Sequence, residues 1–331
     1  MATSREILKD VFGYNSFRPL QAEIIDNVLA GKDTLAILPT GGGKSLTYQI
    51  PGLIFDGVTI VISPLISLMK DQVDQLRLNG VNAVMLNSSL DEAAYAANQK
   101  ALLNGQAKLL YTSPESLING RVQGLLGSIR VSCITIDEAH CISEWGHDFR
   151  PEYRELAKIR ARFPQAVCLA LTATATHQVR EDITRVMKID SSNVLVSSFR
   201  RPNLHISVPP KKDARAQLRS IVKQHKGQSG IVYCFSRNNV DAVAADLQDA
   251  GISARPYHAG LDEDTRRNHQ ELFINDDVDV IVATVAFGMG INKSNVRFVV
   301  HYDLPKSMEG YYQEIGRAGR DGLPSECVLL Y

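Results

Sequence analysis

Short runs of apolar and β-branched residues alternate with longer amphipathic stretches along the chain. Each run is apolar at consecutive positions, which predicts a strand that is buried on both faces. Helical patterns separate the runs, so the sequence predicts βαβ units, a parallel sheet and an α/β fold. The runs are TLAILP, VTIVISP, AKLLYTSP, VSCITIDE and AVCLALTAT, followed later by SGIVYCFS, VDVIVATV and VRFVVHYD.

One segment separates the two groups of runs. It is SSFRRPNLHISVPPKKDAR, residues 197–215, and it concentrates Pro, Ser and basic residues. A chain of 331 residues also exceeds what a single hydrophobic core usually organises. We therefore predict two domains, residues 1–199 and residues 200–331.

The charge of the chain is balanced, with 36 basic residues against 36 acidic ones. This balance argues against a broad cationic face, so any nucleic acid binding is expected to be local. The basic cluster Lys211, Lys212, Arg215 and Arg219 fits a solvated helix face and is given no role. His258, in YHAGL, fits a turn or cap residue and is given none either.

The five cysteines are odd in number and form no CxxC pair, so the sequence shows no zinc site. Cys133, Cys168 and Cys234 lie in apolar runs, where a thiol acts as a small hydrophobic group in a reducing compartment. The N-terminus has no apolar stretch of signal length, and no window reaches the roughly 18 residues of a membrane span. We expect a soluble intracellular protein, cytoplasmic or nucleoid-associated in a bacterium and nuclear in a eukaryote.

The stretch LAILPTGGGKSLTYQI joins a predicted buried strand to a helical pattern through three glycines. Glycine at positions 41–43 permits positive φ and close backbone approach, so amide groups can face phosphate oxygens. Lys44 is then placed to neutralise the β and γ phosphates, and Ser45 to hold Mg²⁺. Leu38 stands where the longer form of this motif has glycine, so the loop fits the shorter form PTGxGKS. The context favours a nucleotide site over a simple glycine-rich turn.

The run VSCITIDE ends in two adjacent carboxylates, Asp137 and Glu138. In open α/β sheets the ligand crevice lies at the carboxyl ends of the strands, so both can reach the glycine loop. Asp137 suits a water-mediated hold on Mg²⁺, and Glu138 suits the base or orienter of the attacking water. Without the glycine loop, a solvated strand end would be the better interpretation.

Two further motifs fit a nucleotide site but also allow simpler interpretations. YYQEIGRAGRDG places Arg317 and Arg320 three residues apart, where guanidinium groups can stabilise charge on a γ phosphate. The alternative is a salt-bridged surface turn. FGYNSFRPLQ carries Tyr14, Arg18 and Gln21, which can stack on adenine and pair with its Hoogsteen edge. The alternative is a core tyrosine and a surface glutamine.

In their order, these motifs resemble those of a superfamily 2 helicase and, within it, of the RecQ family of DNA helicases. FGYNSFRPLQ is similar to the adenine-reading motif of that family and LPTGGGKS to its motif I. SPLISLMKDQ, TSPESL, DEAH and LTATAT resemble motifs Ia, Ib, II and III, while IVYCFSR, VATVAFGMGINK and YYQEIGRAGRDG resemble motifs IV, V and VI. The motifs span essentially the whole chain. DEAD-box RNA helicases differ, because motif II here ends in His140 and CISEWGHDFRPEY has no counterpart in them.

The resemblance implies two tandem RecA-like domains, each a mostly parallel sheet flanked by helices, with a nucleotide cleft between them. It implies a helicase ATP-binding domain followed by a helicase C-terminal domain, and ATP and Mg²⁺ as cofactors. The implied activity is DNA-stimulated ATP hydrolysis that drives movement from 3′ to 5′ on single-stranded DNA, in DNA repair and recombination. The expected partners are single-stranded, partial-duplex and forked DNA, and the expected state is a monomer.

The resemblance also implies roles for the residues that match the family's motifs. The implied catalytic residues are Lys44, Asp137, Glu138, Gln313, Arg317 and Arg320, and the implied Mg²⁺ contacts are Ser45 and Asp137. The implied nucleotide contacts are Tyr14, Arg18, Gln21, Thr40, Gly41, Gly42, Gly43, Lys44 and Ser45. The residues implied to bind DNA or to couple its binding to hydrolysis are Ser63, Ser67, Lys70, His140, Trp145, His147, Phe149, Arg150, Thr172, Thr174 and Thr284.

One departure from the family affects the expected activity. RecQ enzymes usually continue into a zinc-binding domain and a winged helix, whereas this chain stops at SECVLLY, so we expect no zinc in it. The alternatives to a helicase are a DNA-stimulated ATPase that unwinds poorly, an RNA-directed motor, and a non-catalytic scaffold that binds nucleic acid.

The lone tryptophan lies in EWGHDFRPEY, where Trp145 and Phe149 stand among charged residues without apolar periodicity. This pattern predicts a loop. Exposed aromatic rings beside a guanidinium such as Arg150 form a stacking platform for bases. In the RecQ family the matching segment is an aromatic-rich loop that senses single-stranded DNA. Because the segment follows Glu138 closely, we predict that it couples DNA binding to ATP hydrolysis.

Overall fold

The structure is a computed structural model, and it describes residues 2–118, 120–146, 148–198, 200–285, 287 and 293–331. The chain folds into two compact units, Met1–Phe199 and Arg200–Tyr331, which we call the N-terminal unit and the C-terminal unit. Each unit is built around a parallel sheet of its own.

The N-terminal unit alternates strands and helices along most of its length. Its strands are β1 (Thr34–Ile37), β2 (Val58–Ile62), β3 (Ala83–Leu86), β4 (Leu109–Thr112), β5 (Val131–Ile136), β6 (Val167–Thr172) and β7 (Val194–Val196). Its helices are α1 (Ser4–Asp10), α2 (Gln21–Leu29), α3 (Leu46–Ile54), α4 (Ile66–Leu78), α5 (Glu92–Leu103), α6 (Pro114–Ile118), α7 (Arg121–Leu126), α8 (Pro151–Ala161) and α9 (His177–Met187), with 3₁₀ helices at Ala139–Ile142 and Ser191–Asn193.

The strands of this unit pair in parallel in the order β3-β4-β2-β5-β6-β1-β7. Every residue of β1, β2 and β6 is buried, because successive side chains point to opposite faces and both faces are covered. Leu35 and Ile134 belong to one core cluster, and Ala36 and Cys133 to the other. The neighbouring strands β5, β6 and β1 end on the same edge, so the segments that follow them meet there.

The C-terminal unit repeats this plan with a smaller sheet. Its strands are β8 (Leu204–Ser207), β9 (Gly230–Tyr233), β10 (Ala254–Tyr257), β11 (Val280–Ala283), β12 (Phe298–His301) and β13 (Ser325–Leu329), and its helices are α10 (Ala214–Gln224), α11 (Arg237–Asp249), α12 (Glu263–Ile274) and α13 (Met308–Ile315). The strands pair in parallel in the order β10-β11-β9-β12-β13-β8. Side chains of Asp213, Ser236, Asp262 and Ser307 accept backbone N–H bonds and cap the four helices.

Each of the eight predicted runs contains a strand, and all strand pairs are parallel, so the predicted α/β fold is confirmed. The five cysteines are buried and free. His258 Nδ1 accepts the Gly260 N–H (3.1 Å), the contact of a turn residue. No helix in the described ranges is both long enough and apolar enough to cross a bilayer.

Candidate functional site

The loop between β1 and α3 has a backbone shape that favours glycine. Gly41 and Gly43 have φ values of +80° and +76°, in the left-handed region that residues with a side chain rarely occupy. A Cβ added at Gly43 would lie 2.3 Å from Gln21 Nε2. The Gly42 N–H donates to Pro39 O (2.8 Å) and closes the first turn of the loop. The predicted strand, glycine loop and helix follow one another as expected.

Two residues of the FGYNSFRPLQ motif hold this loop in place. Gln21 is 1% exposed, and its Nε2 donates to the carbonyl oxygens of Gly43 (2.9 Å) and Gly42 (3.4 Å). Gln21 Oε1 accepts the Arg18 N–H (2.8 Å), and the Arg18 guanidinium donates to Gly41 O. The motif and the glycine loop, twenty residues apart in sequence, therefore form one hydrogen-bonded unit.

The backbone before α2 directs Gln21 toward the loop. Leu20 has a φ of +64°, a strained conformation for a residue with a side chain, and it immediately precedes α2. Both ends of the Gln21 amide are engaged by protein groups, so adenine binding would require the amide to exchange one of these bonds. Tyr14 is 55% exposed, and its ring is available for stacking.

Lys44 and Ser45 form the turn that leads from the loop into α3, and both are half-buried. Lys44 O accepts from Thr47 Oγ1 (2.6 Å), which fixes this turn. The Tyr48 hydroxyl hydrogen-bonds Ser45, and burial raises the pKa of Tyr48, so its proton is retained. Tyr48 was not predicted from the sequence. Its position three residues after Ser45, on the same helix face, is the signal that indicates it.

Asp137 follows β5 and is 9% exposed. Its N–H donates to Ile62 O (2.9 Å), and its carbonyl accepts from the Tyr153 hydroxyl (3.1 Å). Asp137 Oδ1 accepts the Glu138 N–H (3.0 Å). Burial and, to a lesser extent, the Glu138 carboxylate raise the pKa of Asp137 to about 6, while the Lys44 ammonium opposes the rise. The charge of Lys44, at the end of the glycine loop, thus acts on the Asp137 carboxyl.

The oxygen atoms of Asp137 and Ser45 suit a hard divalent cation. Mg²⁺ prefers oxygen ligands, and carboxylates are its usual protein ligands. Burial makes the ionised form of Asp137 costly, and a nearby cation favours that form. The chemistry of this donor set therefore fits the expected Mg²⁺.

Glu138 begins a chain of polar contacts that crosses from β5 to β6. Its φ of +50° turns the backbone at the strand end. Glu138 Oε2 lies 3.3 Å from His140 Nδ1, and the same nitrogen lies 3.0 Å from Thr172 Oγ1. Thr172 Oγ1 in turn donates to Thr174 O (3.0 Å). The structure thus joins four residues of the predicted motifs II and III in one buried network.

We call the contacts of Glu138, His140, Thr172 and Thr174 the Glu138 network. The segment that follows it along the chain, up to Arg150, is a loop, as predicted, and because it exposes aromatic rings we call it the aromatic loop. Trp145 is 65% exposed and Phe149 is 36% exposed. A Cβ added at Gly146 would lie 2.3 Å from His140 O, so the loop backbone packs directly on the network. The Arg154 guanidinium lies 5.9 Å from the centre of the Phe149 ring. His147, another predicted contact, lies outside the described residues.

His140, Cys141 and Asp148 bring three possible metal-ligand atoms within 4.8 Å of one another. Arg150, however, donates to Asp148 Oδ2 from Nε (3.2 Å) and Nη2 (3.1 Å) and already neutralises that carboxylate. Burial also raises the pKa of Cys141 far above its usual range. The Cys141 thiol donates to Asp148 Oδ2 (3.9 Å), and Arg150 N–H donates to Cys141 O (3.0 Å). The group therefore anchors the aromatic loop as a hydrogen-bonded cluster.

The remaining predicted DNA contacts lie at strand ends and on α4. Ser63 follows β2 and is buried, and its N–H donates to Thr112 O (3.1 Å). Ser67 and Lys70 are exposed on the first two turns of α4. Thr284 follows β11 in the C-terminal unit and is half-buried.

In the C-terminal unit, the predicted phosphate-contacting arginines are largely buried. Arg317 is 8% exposed, which the alternative of a surface turn does not explain. Burial and, to a lesser extent, the Arg317 charge lower the pKa of Arg320 to about 10. Gln313 lies half-buried on α13, one turn before Arg317. His301 Nε2 lies 2.6 Å from Glu314 Oε2 beside this group.

A glycine loop between a buried strand and a helix, with Asp137 and Glu138 at a nearby strand end, is the arrangement typical of nucleoside triphosphatases built on a parallel α/β sheet. Residues 18–183, about half of the chain, match the family model DEAD/DEAH box helicase, and residues 213–322 match the helicase conserved C-terminal domain. The chain belongs to the DEAD/DEAH box helicase family.

Individual relatives confirm the more specific resemblance to RecQ. The chain is 54% identical to ATP-dependent DNA helicase RecQ of Pasteurella multocida, over 99% of this chain and 52% of the relative. It is 53% identical to ATP-dependent DNA helicase RecQ of Haemophilus influenzae, over 99% of this chain and 53% of the relative. It therefore spans about half the length of these curated relatives. S. cerevisiae Dbp5 bound to RNA and ADP BeF3 superimposes with a TM-score of 0.79 over 100% of this chain and 88% of Dbp5. At 16% identity, this likeness establishes a shared fold.

Proposed function

We propose that this chain is the motor core of a RecQ-type DNA helicase and that single-stranded DNA stimulates its hydrolysis of ATP. The family match and the relatives named ATP-dependent DNA helicase RecQ support this activity. By the same resemblance, movement runs from 3′ to 5′, partial-duplex and forked DNA are further ligands, and the cellular role lies in repair and recombination.

The N-terminal unit binds the phosphates and activates water in this proposal. The backbone of residues 40–43 surrounds the phosphate oxygens, and Lys44 neutralises the β and γ phosphates. Ser45 and Asp137 hold Mg²⁺, which when bound supplies positive charge at the phosphate oxygens. Glu138 orients the attacking water and accepts its proton. Tyr14, Arg18 and Gln21 contact the adenine.

The C-terminal unit supplies positive charge to the same reaction. Arg317 and Arg320 stabilise the charge that develops on the γ phosphate, a contribution worth about 10³ to 10⁵ in rate for an arginine of this kind. Their burial strengthens the contribution, because charges interact more strongly where water is excluded. Gln313, one turn earlier on α13, assists the same step.

DNA binding in this proposal uses both backbone and base contacts. Ser63, Ser67 and Lys70 contact phosphates from the N-terminal unit, and Thr284 does so from the C-terminal unit. Trp145, Phe149 and Arg150 stack on bases; His147 completes this set by the family resemblance alone.

The observation that carries the proposal is the packing of Gly146 against His140 O. The ring of His140 contacts Glu138 and Thr172, while its carbonyl supports the loop that exposes Trp145. A base that stacks on Trp145 and presses this loop toward His140 therefore acts on the residue whose ring contacts Glu138. This arrangement gives the DNA contact a direct physical route to the residue proposed to activate water.

The test is the substitution Trp145→Ala, with Leu103→Ala as the control for loss of an exposed apolar side chain on α5. Stacking is worth about 1 to 3 kcal/mol per base, so half-maximal stimulation should require roughly 5- to 150-fold more single-stranded DNA. ATP hydrolysis without DNA should stay near the unsubstituted rate. An equal fall with and without DNA would make Trp145 a structural residue.

A second substitution tests the motor itself. Lys44→Ala should abolish ATP hydrolysis with and without DNA, because the main positive charge beside the β and γ phosphates is lost. DNA and RNA oligomers of one sequence, compared as activators of the unsubstituted chain, separate a DNA-directed motor from an RNA-directed one. A rate that no oligomer changes would contradict the proposal.

A further inference from the structure

Tyr233 occupies the centre of the C-terminal sheet, at the edge where its functional segments lie. It is the last residue of β9, and it is paired in register with Ala283 at the end of β11 and with His301 at the end of β12. It is 3% exposed, and its ring stacks on His301 with centroids 5.3 Å apart. Its position thus lies between the segment after β11 and the helix that leads to Arg317.

The Tyr233 hydroxyl contacts both the segment after β11 and Arg317. It donates to Phe287 O (3.0 Å), four residues after β11 ends, and it hydrogen-bonds the Arg317 guanidinium. A guanidinium can only donate, so the phenol oxygen accepts from Arg317 while its proton goes to Phe287 O. Burial raises the pKa of Tyr233 to about 12, and the phenol therefore keeps its proton in neutral buffer.

The contact to Phe287 extends the chain of hydrogen bonds to Thr284. The Phe287 N–H donates to Thr284 O (3.0 Å), and the Thr284 N–H donates to Tyr257 O (3.3 Å). Described residues thus connect Thr284 to Phe287, Phe287 to Tyr233 and Tyr233 to Arg317 without a gap. A displacement of the segment after β11 must either stretch these bonds or move the guanidinium.

The surroundings of Tyr233 make this connection stiff. His301 lies between the rings of Tyr233 and Tyr311, with a centroid distance of 4.8 Å to Tyr311. Its Nε2 lies 2.6 Å from Glu314 Oε2 at the buried end of α13. Arg320 lies close enough to Arg317 for the Arg317 charge to lower the pKa of Arg320. Two adjacent guanidinium groups repel each other, so the direction of each depends on its hydrogen bonds.

We infer that Tyr233 is a positioning residue for ATP hydrolysis: its hydroxyl holds Arg317 in the direction needed for phosphate contact and links that direction to the segment carrying Thr284. The inference rests on the proposed function, in which Arg317 acts on the γ phosphate and Thr284 contacts DNA. It adds a route inside the C-terminal unit by which DNA binding changes hydrolysis, separate from the loop that carries Trp145.

The test compares Tyr233→Phe with Tyr311→Phe. Both remove one buried hydroxyl beside His301 and keep the ring, but among the described residues the Tyr311 hydroxyl has no hydrogen-bond partner. Tyr233→Phe should lower the DNA-stimulated kcat by about tenfold or more, as expected for loss of a hydrogen bond to a charged group. The KM for ATP and the DNA concentration for half-maximal stimulation should change less than about twofold. Tyr311→Phe should keep the unsubstituted kcat.

A double-mutant cycle decides whether Tyr233 acts through Arg317. Tyr233→Phe introduced into Arg317→Ala should lower kcat no further than Arg317→Ala alone. Losses that multiply, a kcat left intact in Tyr233→Phe, or parallel falls in kcat, DNA affinity and melting temperature would each overturn the inference. An unsubstituted chain that does not hydrolyse ATP would instead contradict the proposed function, so the two failures are distinguishable.

Discussion

Gly146→Ala should weaken the link between the aromatic loop and the Glu138 network. The added methyl carbon would lie 2.3 Å from His140 O and 3.0 Å from Ser143 O, and real contacts of this kind do not fall below about 3 Å. The loop must therefore shift away from His140. Overpacking costs about 1 to 3 kcal/mol, which for a domain of this size corresponds to a melting temperature roughly 2 to 12 °C lower.

The same displacement should reduce DNA stimulation of ATP hydrolysis by about tenfold, because roughly 1.4 kcal/mol of coupling is enough for that factor. The rate without DNA should change little, since the glycine loop and Asp137 are untouched. Trp145 is the single tryptophan of the chain, so its fluorescence reports on this loop alone. In the unsubstituted chain, single-stranded DNA should change that fluorescence, and in Gly146→Ala the starting spectrum itself should differ.

Gly124→Ala is the matched control for this experiment. Gly124 lies in α7 of the same unit, and a Cβ there would meet no heavy atom within 4 Å. Alanine favours a helix over glycine by about 1 kcal/mol, so this variant should melt at the same or a higher temperature and respond normally to DNA. If Gly146→Ala behaves like Gly124→Ala in melting, fluorescence and stimulation, the close contact between the loop and His140 does not exist in solution.

Two further predictions concern the glycine loop and the thiols. Gly43→Ala should lower kcat/KM for ATP by more than about tenfold, because the positive φ and the approach of the added Cβ to 2.3 Å from Gln21 Nε2 both oppose a side chain. The control Gly105→Ala has a φ of +67° but no heavy atom within 4 Å of the added Cβ, so it shares only the backbone strain and should keep normal activity. Equal activity of the two variants would refute the close approach of Gly43 to Gln21. Burial raises the pKa of all five thiols, so a disulfide reagent at neutral pH should label none of them in the native chain and all five in denaturant. Rapid labelling of the native chain would contradict the burial of these thiols.

How much of the fold the sequence predicts depends on where a strand lies in its sheet. The eight predicted strands are interior ones, apolar at consecutive positions because helices cover both faces. The four edge strands β3, β7, β8 and β10 were missed, as was β13, which neighbours β8. An edge strand has one pairing partner and less cover; the side chains of β8, for example, are exposed or only half-buried. Edge strands therefore lack the continuous apolar run by which the others were found.

In the candidate site, residues that act with their neighbours in sequence were predictable, and residues whose partners are far away in sequence were not. The glycine loop and the carboxylates Asp137 and Glu138 were predictable, because each motif is local and its chemistry can be inferred from a few adjacent residues. The contacts of the Tyr153 and Tyr233 hydroxyls were not predictable, because their partners are brought close only by the fold. Tyr153 reaches Asp137 O from α8, and Tyr233 reaches Phe287 O across more than fifty residues of chain.

The strand order explains why these hydroxyl contacts recur at strand ends. Parallel strands separated in sequence finish side by side, so a tyrosine at the end of one strand can bond the backbone that leaves the next. β9 lies between β11 and β12, and β5 lies beside β6, although many residues separate them along the chain. In the N-terminal unit Tyr153 of α8 bonds the backbone of Asp137, and in the C-terminal unit Tyr233 bonds the backbone of the segment that carries Thr284. A parallel sheet with its loops on one edge thus offers a route for the proposed coupling through ordinary hydrogen bonds, and each such bond can be removed by a single substitution.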